Sequence, residues 1–311
     1  MADETRIVFM GTPDFAVPSL RALAGGYAVV GVVTQPDRGA GRGRAVRQSA
    51  VKQAALDLGL PVFQPETLRD PEAVAHLRAW EPTAVVVAAF GQILRKEVLE
   101  LPPRGCLNVH ASLLPRWRGA APIQYAIWQG DAESGVTIML MDEGLDSGPM
   151  LSQRATPIGP QETGASLHDT LADLGADLLL ETLPGYLSGE VRPRPQPDEG
   201  VTLAPSLKKE AGRIDWAQRA VEIDRQVRAF DPWPGTHTLW GEERLKVLSG
   251  SPQPDKSRAV PGTVVSGAEG PAVATGEGLY ALERIQPPGG KPMPAQAYVN
   301  GRPDFVGATL A

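Results

Sequence analysis

Asn108-Val109-His110 places a side-chain amide and an imidazole two residues apart, at the end of the short apolar run Cys106 to His110. If that run is a strand, side chains two apart share a face, so amide and ring address one space. An amide N–H can donate to a developing oxyanion. An imidazole, with a reference pKa of about 6.5, can pass a proton near neutral pH. A second strand candidate, Gly135 to Met141, runs directly into Asp142-Glu143-Gly144-Leu145-Asp146-Ser147-Gly148. One of these carboxylates could orient and charge-stabilise His110, as in a triad. Chemistry alone does not choose among Asp142, Glu143 and Asp146. Between the two features lies Ser112-Leu113-Leu114-Pro115-Arg116-Trp117-Arg118-Gly119-Ala120-Ala121-Pro122, a proline-stiffened loop that starts beside His110. Taken singly, each has a plainer reading: a structural histidine beside a turn-capping Asn, an acidic surface turn, a connector.

A further stretch is basic. Arg38, Arg42, Arg44, Arg47 and Lys52 occur with no acidic residue among them, and Gly39, Gly41 and Gly43 loosen the run. Arginines on a mobile loop suit phosphate contacts; a solvated charged loop is the plainer reading. The glycines do not make a dinucleotide fingerprint, which belongs between the first strand and first helix. Only Gly11 stands there. The histidines at 76, 110, 168 and 237 and the lone Cys106 lack ligand spacing, so no metal is expected. There is no G-x-S-x-G elbow and no P-loop.

These residues need elements to hold them. Arg6–Met10 and Ala28–Thr34 are short β-branched runs, with helical spacing from Phe15 to Leu23 between them. Thr34 to Gly43 reads as loop, and Ser49 to Leu58 as helix. Asp70-Pro71 is a cap followed by a first-turn proline, opening a helix to about Trp80. Thr83 to Phe90 is continuously apolar, as expected of a strand buried on both faces. Thr163 opens a helix reaching roughly Leu187. Strands alternating with helices predict a Rossmann-like, mostly parallel sheet with helices on both faces, and ligands beyond the strands' carboxyl ends.

At Val191 the composition changes. Arg192-Pro193-Arg194-Pro195-Gln196-Pro197 cannot continue a helix and favours an extended form. One helix follows, about Trp216 to Phe230. Then come the short runs Thr236–Trp240, Arg244–Leu248, Gly262–Val265, Ala272–Ala274 and Leu279–Ile285. That spacing predicts a smaller C-terminal β-barrel, OB-like in kind. The expected domains are 1–189, a linker at 190–206, and 207–311.

Bulk composition agrees. A chain of 311 residues fits two domains, and 42% hydrophobic content builds a core without disulfide or metal staples. A net charge of −6 argues against a protein that coats nucleic acid indiscriminately, though not against a local basic surface. One cysteine excludes a disulfide framework and fits a reducing compartment. Met1 to Arg6 lacks the pattern of a signal peptide, and the run Ala84 to Phe90 is too short to cross a bilayer. A cytoplasmic protein with no membrane contact is expected, and no protein partner is evident.

Together, Asn108/His110, Ser112–Pro122 and Gly144–Gly148 resemble, in order, the Asn-x-His pair, the Ser-Leu-Leu-Pro…Arg-Gly…Pro loop and the Gly-Leu-Asp-Ser/Thr-Gly loop of the folate-dependent formyltransferase family. The combination is far more specific than its parts. Phe9–Phe15 resembles the family's opening. Pro36–Gly43 resembles a loop that tRNA-directed members set against the acceptor stem. Lys209–Trp216, Arg228–Gly235 and Gly289–Met293 resemble their C-terminal domain. Gly39 stands where proline is usual, and Arg44-Ala45-Val46-Arg47 replaces a more lysine-rich run.

The resemblance implies formyl transfer from 10-formyltetrahydrofolate, as co-substrate, to the α-amine of methionyl-initiator tRNA in translation initiation. It implies Asn108, His110 and Asp146 as the catalytic set, and Ser112, Leu113, Leu114 and Pro115 as folate-lining. It places Arg38, Arg42 and Arg44 on the tRNA. Within the family, a sugar-nucleotide or other small-amine N-formyltransferase and a formyl-folate hydrolase are the alternatives.

Overall fold

The computed structural model describes residues 5–40, 45–254, 259–267 and 270–311. Its strands in chain order begin with β1 (Arg6–Gly11), β2 (Ala28–Val33), β3 (Arg38–Ala40), β4 (Ala45–Arg47) and β5 (Val62–Phe63). β6 (Ala84–Ala88), β7 (Cys106–His110), β8 (Glu133–Leu140) and β9 (Met150–Pro157) follow. The helices interleaved with them are α1 (Val17–Gly26), α2 (Ala50–Asp57), α3 (Pro71–Ala79), α4 (Lys96–Leu99), α5 (Pro122–Gln129) and α6 (Gly164–Ser188). The chain clusters into two compact units. One holds Met1–Pro122, Glu133–Thr156 and His168–Ala204; the other holds Ile123–Ala132, Pro157–Leu167 and Pro205–Ala311.

The first unit is built on a seven-stranded sheet of order β5-β2-β1-β6-β7-β8-β9. β5, β2, β1, β6 and β7 run parallel. Chain order reverses between β1 and β6, the crevice where such sheets bind ligands. Val8, Met10, Val85, Val87 and Cys106 pack with Ala73 and Leu77 of α3 and Val98 and Leu99 of α4 on one face. On the other, α6 comes so close that a Cβ on Gly175 would lie 2.7 Å from Val109. Helices therefore cover both faces, as continuously apolar strands require. The start of α3 follows its sequence signal: the Asp70 carboxylate accepts from the Glu72 N–H at 3.0 Å.

One expectation needs correction. Thr34 to Gly43 was expected to be loop throughout; Arg38–Ala40 instead forms an antiparallel ladder with Ala45–Arg47. The glycines that read as breakers still permit a two-stranded pairing. The sheet is mostly parallel, as expected; β8 runs antiparallel to β7, with His110 opposite Thr137 and Leu107 opposite Leu140. An apolar strand carries no mark of its direction, so the sequence could not distinguish the two. The proline-rich segment is also not a free tether: Met150 pairs with Arg194, and Arg118 with Leu203, all within the first unit.

The second unit carries α7 (Ala220–Ala229), β10 (Thr236–Trp240), β11 (Glu243–Gln253), β12 (Val264–Gly267), β13 (Gly270–Ala274), β14 (Leu279–Gln286), β15 (Met293–Pro294) and α8 (Ala295–Gly301). Its antiparallel sheet runs β10-β11-β14-β13-β12, with β15 added on β14. The last residues close the circuit. Leu310 and Ala308 exchange backbone bonds with Gly262 and Val264, while Ala311 exchanges a pair with Leu239 of β10. Inside lie Trp216, Ile223, Val227, Tyr280 and Phe305. Among the described residues, no helix is long and apolar enough to cross a membrane.

Candidate active site

β7 presents Asn108 and His110 on one face, as strand periodicity requires. Both are nearly enclosed, 9% and 5% exposed. Asp146 joins them. Its Oδ1 accepts from Asn108 Nδ2 at 3.3 Å, its Oδ2 accepts from the Gly119 N–H at 2.9 Å, and Oδ2 lies 3.8 Å from His110 Nδ1. The structure thus brings the three expected residues together. A carboxylate only accepts, so the amide of Asn108 must turn its nitrogen toward Asp146. Its second N–H remains for another acceptor.

His110 Nε2 sits 3.0 Å from the carbonyl of Trp117. A carbonyl also only accepts, so Nε2 carries the proton and Nδ1, on the Asp146 side, is the exchangeable nitrogen. A backbone carbonyl thus fixes the tautomer, and Asp146, at 3.8 Å, lies beyond hydrogen-bond length and within reach as a charge.

The acidic loop reaches this place by folding back. Because β8 runs opposite to β7, its carboxyl end lies away from His110, and residues 142–148 return over the Asn108 face. Gly148 permits the return, since a Cβ there would meet Leu140 O at 1.9 Å. Asp142 instead closes the loop on itself, accepting from Gly144 N and Ser147 Oγ at 3.0 Å each, and Glu143 is exposed. Geometry therefore selects Asp146. Its φ is +47° and that of Trp117 is +61°, left-handed values that L-residues adopt at a cost of about 1–2 kcal/mol. Such outliers concentrate at functional sites.

The loop after His110 is fastened from behind. Thr137 Oγ1 donates to Ser112 O at 2.6 Å and accepts from Leu114 N at 3.1 Å, while Gln153 donates to Leu114 O at 2.8 Å. Ser112 and Leu114 are buried, with the Ser112 hydroxyl donating to Arg116 O. Leu113 packs toward Gly135, where a Cβ would sit 2.6 Å from its Cδ2. Of the expected folate-lining residues, Ser112 and Leu114 thus shape the loop from inside it. Gly119 lies at φ +121°, and a Cβ there would strike Ala204 O at 2.7 Å, so this N–H donor to Asp146 rests on a glycine.

Of the basic stretch, Arg42 and Arg44 lie outside the described residues, and Arg38 is placed only as part of β3. Lys52 is committed to Asp37, whose carboxyl the ammonium, with the Gln64 amide, holds below its ordinary range. The sequence reading included Trp117 and Gly119 in the candidate loop without their backbone roles, and it missed Gln196, which bonds both site loops.

Residues 5–183 match the formyl transferase family, and residues 206–303 match formyl transferase, C-terminal domain. This chain belongs to the formyl transferase family. Among its relatives is a methionyl-tRNA formyltransferase of Myxococcus xanthus, 52% identical over 95% of both chains. Another, of Symbiobacterium thermophilum, is 53% identical over 98% of this chain and 95% of its own. The fold recurs in the sugar 3N-formyl transferase WlaRD, with TM-score 0.66, 18% identity, and coverage of 90% of this chain and 98% of that one. It recurs also in HypX of Aquifex aeolicus in complex with tetrahydrofolic acid, with TM-score 0.63 and 18% identity. That match takes in 98% of this formyl transferase chain, which spans about half of HypX, 48%.

Proposed function

We propose that the chain transfers the formyl group of 10-formyltetrahydrofolate to the α-amino group of methionyl-initiator tRNA, for translation initiation. The observation that carries this is the union of two facts. Relatives named methionyl-tRNA formyltransferase are about half identical over nearly the whole chain, and an amide, an imidazole and a carboxylate converge at one strand end.

The nucleophile is the substrate's own neutral amine. It attacks the formyl carbon, forming a carbon–nitrogen bond and a tetrahedral oxyanion. The free N–H of Asn108 donates to that oxygen; one such donor is typically worth about 2.7–4 kcal/mol. Nδ1 of His110 takes the proton that the amine loses, while Nε2 stays on Trp117 O. The charge that His110 gains lies 3.8 Å from Asp146. The proton then passes to N10 of the folate as the bond from carbon to N10 breaks. Holding amine and donor together removes much of the entropic barrier.

For the folate, the apolar residues that face outward near the strand ends are Ile93, 79% exposed after β6, and Leu145, beside Asp146. They offer the apolar contact that the buried Ser112 and Leu114 do not. The tRNA contact stays with Arg38, Arg42 and Arg44, on phosphates; binding should weaken with salt as counterions are released. Residues 1–189 carry the folate chemistry and the arginine loop, 190–206 link them onward, and 207–311 supply a further tRNA-contacting part.

Incubation with labelled formyl-folate tests the reading. Label should appear on the methionine of charged initiator tRNA and not on an amino-sugar nucleotide. Label released only as formate, or carried only by the sugar, overturns it. Arg42→Ala should slow tRNA formylation far more than it disturbs folate binding; equal effects would give the loop another task.

A further inference from the structure

Gln196 sits in the run Pro195-Gln196-Pro197, which the sequence offered only as connector. Proline at 197 excludes helical backbone at 196 and holds the residue extended. Its neighbours from Arg192 to Pro195 are exposed, whereas Gln196 itself is half-buried.

Every hydrogen-bonding position of its side chain is used. Oε1 accepts from Arg118 Nε at 3.0 Å and from Arg118 Nη2 at 2.7 Å. Nε2 donates to Asp146 O and to Gly148 O, each at 2.8 Å. Guanidinium only donates and carbonyls only accept, so the amide has a single orientation. The two carbonyls straddle Ser147, fixing the peptide units on either side of the loop's tip. On the other side, Arg118 is the residue before Gly119, whose N–H donates to Asp146 Oδ2. One amide therefore grips the backbone of Asp146 and, through Arg118, the segment that grips its carboxylate. The same strap continues: Thr202 Oγ1 accepts from Trp117 N, and Ala204 exchanges bonds with Arg118 and Ala121. Trp117 is the residue whose carbonyl holds His110.

We propose that Gln196 is a positioning residue for formyl transfer: it locks the left-handed backbone of Asp146, and through Asp146 the amide of Asn108, in the reactive arrangement. This rests on the reading of Asn108, His110 and Asp146 as the catalytic set. The residue touches no reacting atom and acts through the two loops it ties. Its loss lets the loop 142–148 drift, and a misplacement of about 1 Å can cost about 100-fold in rate.

The test is a double-mutant cycle in the full chain, read by single-turnover formylation of charged initiator tRNA. Gln196→Met removes all four bonds. Gln196→Glu keeps the volume and the Arg118 partner but turns an acceptor toward the two carbonyls, and it serves should the Met variant fold poorly. Either is expected to lower the single-turnover rate about 10–100-fold, with KM for folate and tRNA within about twofold, the range left when ground-state binding is untouched. In an Asp146→Asn background, the Gln196 change should cost little more, because the group it positions is already gone. Full additivity in that background, or a wild-type rate in Gln196→Glu, overturns the inference while a slow Asp146→Asn leaves the catalytic reading standing. A wild-type rate in Asp146→Asn overturns both.

Discussion

Asp146→Asn isolates the carboxylate's charge with little change in shape. Asn tolerates the left-handed backbone at φ +47° nearly as well as Asp, so the loop can keep its course. What changes is the donor count. Asp146 accepts from Gly119 N at 2.9 Å and from Asn108 Nδ2 at 3.3 Å, one on each oxygen. An amide has one oxygen, so its NH2 must face one of these two donors. Leaving a buried donor unmatched costs about 1–3 kcal/mol. The variant also lacks the negative charge opposite the imidazolium that forms as the amine loses its proton. At 3.8 Å, and at the effective dielectric of a partly enclosed site, that attraction is at most about 4 kcal/mol. A loss of about 3 kcal/mol in the transition state corresponds to roughly 100-fold in rate. Quench-flow measurement at saturating formyl-folate should therefore show the single-turnover rate down by about two orders of magnitude, with folate affinity little moved and the melting temperature lowered by the unmatched donor. A rate within about threefold of wild type, under 1 kcal/mol of lost stabilisation, would refute the argument that charge at this position is used.

Three further outcomes are expected of the folded protein. Burial pushes the Cys106 thiol up to about 12, so thiol reagents should leave the native protein unlabelled at pH 8 and label it only on unfolding. His237 titrates below its ordinary range, first because it is buried and then because Arg244 and Arg213 face it. The unfolded chain therefore binds the proton more readily, stability falls as pH drops through the ordinary histidine range, and His237→Gln should flatten that part of a melting-temperature profile. The hydroxyl of Tyr280 is wholly buried in the second unit and has no hydrogen-bond partner among the described residues, so Tyr280→Phe should leave stability unchanged or raise it by about 1–3 kcal/mol in urea unfolding; a marked loss would mean the hydroxyl is engaged.

What the sequence could reveal follows from where the information resides. Asn108 and His110 were legible because a strand's period is fixed, so spacing alone set their common face. Asp70 as a helix cap and Gly164–Ser188 as a long helix were legible for the same local reason. The choice of Asp146 over Asp142 and Glu143 came only from the resemblance and not from chemistry or spacing, since physically it depends on a loop folding back along an antiparallel strand. The tautomer of His110 was hidden too, because a backbone carbonyl at Trp117 has no side-chain signature. Gln196 is separated from Asp146 by 50 positions and from Arg118 by 78, and only the prolines around it hinted at a fixed conformation.

The way the C-terminal sheet closes has one more consequence. Residues 307–311 are a stave shared by two strands, held to Gly262–Val264 on one side and to Leu239 on the other. Deleting residues 307–311 would uncover two unpaired strand edges at once. It would also withdraw Leu310, a side chain 3% exposed, from the hydrophobic interior. Naked edges recruit other chains, so this deletion should yield sticky, self-associating protein.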